Sequence, residues 1–243
     1  MSLTRATIPV FVPVVNRFDL LKKCIDSLSI RLTTEPVIIN NSGKELPPEF
    51  HHHTIVTPEN PLTFSQTQNL MLELAAKMPF YFFMHSDAED SEGILDKLFD
   101  MARLQMDKWG VIFTNYDALA CFNTEAFRAV GGWDENLKWY RSECDMYRRL
   151  RLAGYPTLDS GLSVKHTPSS TLNADFAIKA RVDAENVAGR AYYIRKWGGD
   201  NGEEKYEVPF NGEAQTGTLS LAEREMNGVS TVVFEDEGSH GKH

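Results

Sequence analysis

The chain has 243 residues, a formal net charge of −9 and three cysteines. That length buries one substantial core with room for an appendage, while the longest apolar runs are too short for a transmembrane helix and no signal-peptide core opens the chain. Cys24, Cys121 and Cys144 are too widely spaced for a disulfide framework or a zinc knuckle and fit a reducing cytoplasm, and the acidic balance argues against nonspecific nucleic-acid binding.

The charge is uneven. Residues 200–243 hold 10 acidic and 3 basic side chains, a net −7, which leaves about −2 on residues 1–199. A nearly neutral body that binds a phosphorylated ligand calls for a cation as well.

In chain order, residues 8–15 predict a buried strand ending at Asn16-Arg17, and a helix follows with Leu20, Leu21, Cys24, Ile25 and Leu28 on one face. Strands over 37–39 and 54–56 exit into Asn40-Asn41-Ser42-Gly43 and Thr57-Pro58-Glu59-Asn60. A helix over 66–78 turns Leu70, Met71, Leu74 and Met78 inward. The run Phe80-Tyr81-Phe82-Phe83-Met84 is too short to span a membrane and too β-prone for a surface helix. It predicts a strand buried on both faces, running straight into His85, Asp87, Glu89 and Asp90. A helix over about 93–106 comes next.

The second half predicts strands over 111–113 and 118–123, a short helix over 124–130 stopped by Gly131-Gly132, and an aromatic loop over 133–140. A helix over 142–153 with Met146, Leu150 and Ala153 inward, short strands over 155–160 and 162–166, and a last helix from about 174 to Trp197 complete the body. Residues 200–243 read as an acidic appendage, disordered or ordered by a partner chain. Its run Ser230–Phe234 could add a strand to a neighbouring subunit and so make a homo-oligomer. The β-α-β alternation argues a doubly wound α/β sheet, with ligands expected beyond the carboxyl ends of the strands, where the polar exits cluster. No G-x-G-x-x-G follows the first strand, which disfavours a dinucleotide oxidoreductase, and no Gly-rich basic loop supports a nucleotidyltransferase.

Several stretches, in this order, resemble the family 2 glycosyltransferases of the GT-A fold. They are Pro9–Arg17, Ile38–Ser42, Pro58-Glu59-Asn60 with Asn69, and His85-Ser86-Asp87 at the position of an Asp-x-Asp metal motif. Gly131-Gly132-Trp133-Asp134-Glu135, Ser142-Glu143-Cys144-Asp145 with Arg149, and Val164-Lys165-His166 continue the set over about residues 7–199. The resemblance implies a three-layer α/β/α fold with a mainly parallel sheet. Residues 1–106 would form a nucleotide-binding half and residues 107–199 an acceptor-binding half. It also implies an inverting, metal-dependent transfer of a sugar from a UDP-, GDP- or dTDP-linked donor to a hydroxyl of a glycan or other acceptor.

The implied nucleotide contacts are Pro13, Val15, Asn16, Arg17, Asn40, Asn60, Asn69 and Ser86, and the implied metal ligands are Asp87, His166 and His85. Mn²⁺ or Mg²⁺ would serve, Mn²⁺ being better suited to imidazole. Glu143 stands where the family carries its base, with Asp145 in support. Trp133, Asp134, Trp139 and Tyr140 would meet the acceptor, and Lys196 could reach a phosphate.

Each residue also has a plainer reading. Asp87 could be the acid at the N-terminus of the helix over 93–106, and His166 could merely end a strand. Ser142-x-x-Asp145 is itself a capping pattern. The asparagines could satisfy loop backbone, and the aromatics could be core. The departures at His85 and Asn40 leave room for a second function, a catalytically weak relative serving as a nucleotide- or glycan-binding partner. The transferase reading requires Asp87, His166 and Glu143 to meet at one rim of the sheet.

Overall fold

The run Phe80–Met84 forms a strand whose side chains alternate between two packed faces. Phe80, Phe82 and Met84 join one apolar cluster, and Tyr81 and Phe83 the other. None of the five is more than 3% exposed, as a strand covered on both sides requires. The computed structural model describes residues 8–28, 36–105 and 108–213. Among them the elements run β1 (Val10–Val14), α1 (Phe18–Ser27), β2 (Val37–Asn40), β3 (Thr54–Val56), α2 (Phe64–Leu74), β4 (Phe80–Met84), β5 (Ala88–Glu89) and α3 (Ile94–Leu104). There follow β6 (Val111–Phe113), β7 (Leu119–Asn123), α4 (Thr124–Ala129), α5 (Ser142–Leu152), β8 (Thr157–Asp159), β9 (Lys165–His166), α6 (Ser170–Ala174) and α7 (Phe176–Trp197).

Seven strands make one sheet in the order β3-β2-β1-β4-β7-β6-β8. Its pairs are parallel except those of β7, which runs against both β4 and β6. The α/β expectation therefore stands with a mainly parallel sheet. Leu21, Cys24, Leu95, Leu98 and Phe99 of α1 and α3 cover one face. Met71, Phe127, Met146 and Leu150 of α2, α4 and α5 cover the other. No helix among the described residues is long and apolar enough to cross a membrane.

Local chemistry moves some boundaries. Thr63 and Gln66 close a reciprocal capping box, so α2 begins at Phe64 rather than at 66. The helix ends at Leu74 rather than running to 78; Leu72 is buried and Leu74, expected inward, is 46% exposed at the last turn. Ala153, also expected inward, is exposed just past the end of α5. The strand expected over 162–166 is present only as β9 (Lys165–His166), and its partner β5 has too little apolar pattern to be read from sequence; Ala88 pairs with His166 and Glu89 with Lys165.

The appendage expected from residue 200 onward does not begin there. Residues 200–213 pack on the body. Asp200 receives Arg141 Nε at 2.9 Å and Arg190 Nε at 2.7 Å, and these hydrogen bonds hold its carboxyl well below the usual carboxylate range. The backbone N–H groups of Lys205 and Tyr206 donate to Trp197 O, each at 3.0 Å, and Phe210 packs edge-on against Tyr192. The run Ser230–Phe234 lies outside the described residues.

Trp133 corrects another expectation. It is 3% exposed and packed among Phe64, Phe122 and Phe127, a core residue rather than a surface platform. Truncating such an aromatic removes its transfer energy and leaves a cavity. Trp133→Ala is expected to lower the unfolding free energy by about 3–5 kcal/mol, read as a fall in the denaturant midpoint at unchanged slope.

Candidate functional site

β4 ends at Met84, and the next three residues turn across the carboxyl rim of the sheet. His85 N–H donates to Ala118 O at 2.9 Å, and Ala88 N–H to His85 O at 3.0 Å, closing a tight turn in which His85, Ser86 and Asp87 are half-buried. The chain then enters β5. Its partner β9 brings His166 alongside, and Thr167 N–H donates to Asp87 O at 3.0 Å. A pairing of only two residue pairs, Ala88 with His166 and Glu89 with Lys165, thus joins distant parts of the chain.

The result is a cluster of donors. His166 Nε2 lies 3.2 Å from Asp87 Oδ1 and His85 Nδ1 lies 3.8 Å from it. One ligand atom from each of the three residues falls within 4.8 Å of the others, a spacing that could hold a metal ion. Ser170 Oγ donates to the second Asp87 oxygen at 2.6 Å. Burial alone would raise the Asp87 carboxyl, but hydrogen bonds from His166 and Ser170 outweigh it and hold the group below its ordinary value. Burial drives His85 down to about 4, against the pull of Asp87, so its imidazole is neutral at pH 7 and keeps a ring nitrogen free to bind a cation. The buried His166 Nδ1 has no protein partner. Two imidazoles and a carboxylate form a mixed N/O set, which fits Mn²⁺ better than Mg²⁺.

The helix-capping alternative for Asp87 goes to a neighbour. Asp90, 3% exposed, accepts from the backbone N–H groups of Ile94 at 2.7 Å and Leu95 at 3.0 Å, and so holds the start of α3.

Two adjoining cavities open on this cluster and share Phe64, His85, Asp87, Trp139 and Thr171. The first, about 120 Å³, reaches toward β1 and α2 and includes Pro13, Val15, Asn41, Gln68 and Ser86. The second, about 280 Å³, includes Tyr140, Glu143, His166 and Ser170. Asp87, His166 and Glu143 therefore line one chamber, although α5 is the only source of Glu143. Burial pushes the Glu143 carboxyl up to about 7, with Asp117 adding to the rise and Ser142 opposing it.

Other expected residues are elsewhere or otherwise engaged. Asp145 is fully buried, bound by Arg149 Nε at 2.8 Å, Lys196 Nζ at 2.6 Å and Trp197 Nε1 at 2.9 Å. Asp134 is closed off by Lys196 Nζ at 2.6 Å and Tyr192 Oη at 2.8 Å, so Lys196 binds two carboxylates and not a phosphate. The side chain of Asn69 spans the backbone N–H and C=O of Trp133. It lies so close that a Cβ on Gly132 (φ +74°) would stand 2.9 Å from its Oδ1, which accounts for glycine there.

Asn40 shapes its own turn through Lys44 O and Ser42, and lines a separate cavity with Lys44, His51 and Glu59. Arg17 forks onto Asp19 at 2.9 and 2.7 Å. Asn16 donates to Thr171 O at 3.1 Å, tying the exit of β1 to the segment after β9. Asn60 is exposed and outside both cavities.

Sequence reasoning missed Asn41, Gln68 and Ser170. Asn41 is buried and braced by Leu62, and Gln68 is 1% exposed with an Oε1 that has no protein partner. The Ser169-Ser170-Thr171 run beyond His166 was the available signal for the third.

Comparison with solved structures gives the same architecture. A mannosyltransferase from Pyrobaculum calidifontis, solved with GDP-mannose and Mn²⁺, matches at TM-score 0.58 and 17% identity over 79% of this chain and 65% of that one. Glucosyl-3-phosphoglycerate synthase from Mycobacterium tuberculosis, solved with Mn²⁺, UDP and glucosyl-3-phosphoglycerate, matches at 0.50 and 13% over 76% and 80%. Residues 1–349 of TarS from S. aureus match at 0.50 and 12% over 77% and 72%. The chain thus spans just under two thirds of the mannosyltransferase. No protein-family model matches the sequence, and no curated protein matches it. At these identities the likeness establishes the fold, which is GT-A.

Ser170 acts on the cluster through its hydrogen bond to Asp87 Oδ2. Ser170→Ala is expected to weaken Mn²⁺ binding about 10–100-fold, the usual effect of removing a hydrogen bond that orients a ligand, measured by titration calorimetry.

Proposed function

We propose that the chain is a metal-dependent, inverting glycosyltransferase of the family 2 type, moving a sugar from a nucleoside-diphosphate donor to a hydroxyl of a glycan. The observation that carries this reading is the shared chamber of Asp87, His166 and Glu143. The metal-bound, nucleotide-bound GT-A structures that the chain resembles support it. UDP-, GDP- and dTDP-linked sugars are the donor class, and the three free cysteines suit a cytoplasmic setting.

Asp87, His85 and His166 would hold Mn²⁺, which supplies positive charge for the donor diphosphate. The cavity of Pro13, Asn41, Gln68 and Ser86 would take the nucleoside. Glu143 is the base. As the acceptor oxygen bonds to the anomeric carbon, its proton passes to the Glu143 carboxylate, and the nucleoside diphosphate departs with the electron pair of the broken bond. Ser142 Oγ shares its one hydrogen between Trp139 O at 2.7 Å and Glu143 Oε2 at 3.1 Å, which aims the carboxylate. Asp145 acts indirectly, fixing the first turn of α5 through Arg149 and Lys196.

A catalytically weak binding partner is the second reading, favoured by the engagement of Asn40 in its own turn. Turnover separates the two.

Because the base must be ionised, kcat/KM for the transfer is expected to climb through about pH 7 and level off above it, as the raised carboxyl of Glu143 loses its proton. Glu143→Gln is expected to abolish that limb and lower kcat about 10²–10⁴-fold. Steady-state rates from pH 5.5 to 9 check both; a variant with wild-type turnover refutes the assignment.

A further inference from the structure

The turn between β6 and β7 reaches both the cation cluster and the helix of the base. Thr114 braces it, donating from Oγ1 to Leu119 O at 2.8 Å and accepting Leu119 N–H at 3.1 Å. Inside it, Asp117 N–H donates to Thr114 O at 3.2 Å and Ala118 N–H to Asn115 O at 3.1 Å. Three tethers leave this turn. Ala118 O accepts His85 N–H at 2.9 Å. Asn115 holds both backbone polar groups of Val164, two residues before His166. Asp117 Oδ2 accepts from Tyr147 Oη at 2.7 Å, which ties the turn to α5.

Tyr147 stands one helical turn after Glu143, so the two side chains share a face of α5. Its ring lies parallel to that of Phe113 of β6, with 7° between the planes and 5.9 Å between the centroids. The phenol is thereby held at the end of the sheet while its hydroxyl reaches Asp117. Asp117 itself has φ +54°, left-handed backbone that aspartate and asparagine enter more readily than other residues with a side chain.

Asp117 also acts on Glu143 through its charge. Burial pushes the Asp117 carboxyl up to about 6, with the Tyr147 hydrogen bond opposing, and the Asp117 charge adds to the burial that lifts Glu143 to about 7. Two acids coupled in this way lose their protons as a pair, in two steps. His85 and Asp87 from the exit of β4, His166 from β9 and Tyr140 from the loop before α5 line the same chamber as Glu143. Cys144 and Tyr147 lie on its own helix, and Tyr81 of β4 faces Tyr147. Burial keeps this thiol and the phenols of Tyr81 and Tyr147 protonated. Arg141, Arg148 and Arg149 are paired with Asp200, Glu204 and Asp145. A cation held by Asp87 would pull Glu143 down alike in the wild type and in a variant at Asp117, so comparing the two isolates Asp117.

We propose that Asp117 is a positioning residue for the base: through Tyr147 it fixes the face of α5 that presents Glu143 to the chamber. The same tether keeps a negative charge within electrostatic reach of the base and strengthens its hold on a proton. This rests on the transferase reading and adds to it a residue that does not line the chamber.

Two substitutions separate charge from geometry. Asp117→Asn removes the charge but keeps an oxygen for Tyr147 and suits the left-handed backbone. Tyr147→Phe keeps the ring on Phe113 and removes the tether. Both are compared with the wild type as full chains, with thermal melting and Mn²⁺ titration calorimetry as checks on the fold. Hydrolysis of GDP-mannose and of UDP-glucose, with water standing in for the acceptor, is followed from pH 5.5 to 9 with Mn²⁺. Without the Asp117 charge, Glu143 gives up its proton more easily. Asp117→Asn is therefore expected to move the rising limb to lower pH by about half a unit or more, with Mn²⁺ affinity unchanged. Tyr147→Phe is expected to lower kcat about tenfold or more at unchanged donor KM, as a misaimed base would. The Glu143 titration is also read without turnover, by ¹³C NMR of the side-chain carboxyls of the Mg²⁺-loaded chain, assigned with Glu143→Gln.

A wild-type midpoint in Asp117→Asn by both readouts, or a wild-type kcat in Tyr147→Phe, overturns the proposal. A shifted carboxyl titration with no hydrolysis of either donor overturns the transferase reading, and the role of the tether in catalysis with it.

Discussion

The candidate site depends on one short piece of backbone pairing. β5 and β9 share two residue pairs, and a further bond from Thr167 N–H to Asp87 O extends the contact by one step. The pairing sets His166 beside the exit of β4, where Ser170 also bonds Asp87. Two residue pairs do not sustain a sheet by themselves, so the ladder borrows its rigidity. Ala88 and Val164 are buried in the cluster that α1 and α3 form against the main sheet, and Asn115 holds Val164 by both its N–H and its C=O, at 2.9 and 3.2 Å. The packing of the fold on one face is thereby spent on aligning three polar side chains at its rim.

A second constraint fixes α5, and it is ionic. Lys196 reaches Asp134 and Asp145 at 2.6 Å each, and Arg149 reaches Asp145 at 2.7 Å and the carbonyls of Val130 and Gly132 at 2.6 and 2.7 Å. Charges buried this way return little net stability, because desolvation offsets most of their attraction. Their value here is geometric. The network joins the loop after α4, the first turn of α5 and the end of α7, and that first turn carries Glu143. The loss of either partner would leave a buried charge unpaired, which costs far more than the pair contributes.

The sequence displays the fold well and the site unevenly, and the difference has a physical origin. The alternation in β4 and the apolar faces of α1 and α3 are one-dimensional patterns with a fixed period, and they appear where expected. Asp87 and Asp90 are both acids just before a helix. Only the backbone turn at His85 decides that Asp90 caps α3 and Asp87 faces His166. Trp133 and Trp139 look equivalent in a loop rich in aromatics, yet one fills the core beside Phe127 and the other lines the cleft. Asp134 and Asp145 follow motif positions faithfully but are consumed by Lys196, a partner some 50 to 60 residues away that no local pattern connects to them. Gln68 carries no motif and Asn41 stands beside the more conspicuous Asn40 in one polar exit, and burial beside a cavity is what distinguishes both.

The central claim is that His85, Asp87 and His166 act as one cation site facing the donor. Pulsed electron paramagnetic resonance of the Mn²⁺-loaded chain tests it most directly. The account predicts couplings from imidazole nitrogen that diminish in His166→Ala, and phosphorus couplings that appear when UDP or GDP is added. Mn²⁺ bound without nitrogen coupling, or a spectrum indifferent to the nucleoside diphosphate, would contradict it.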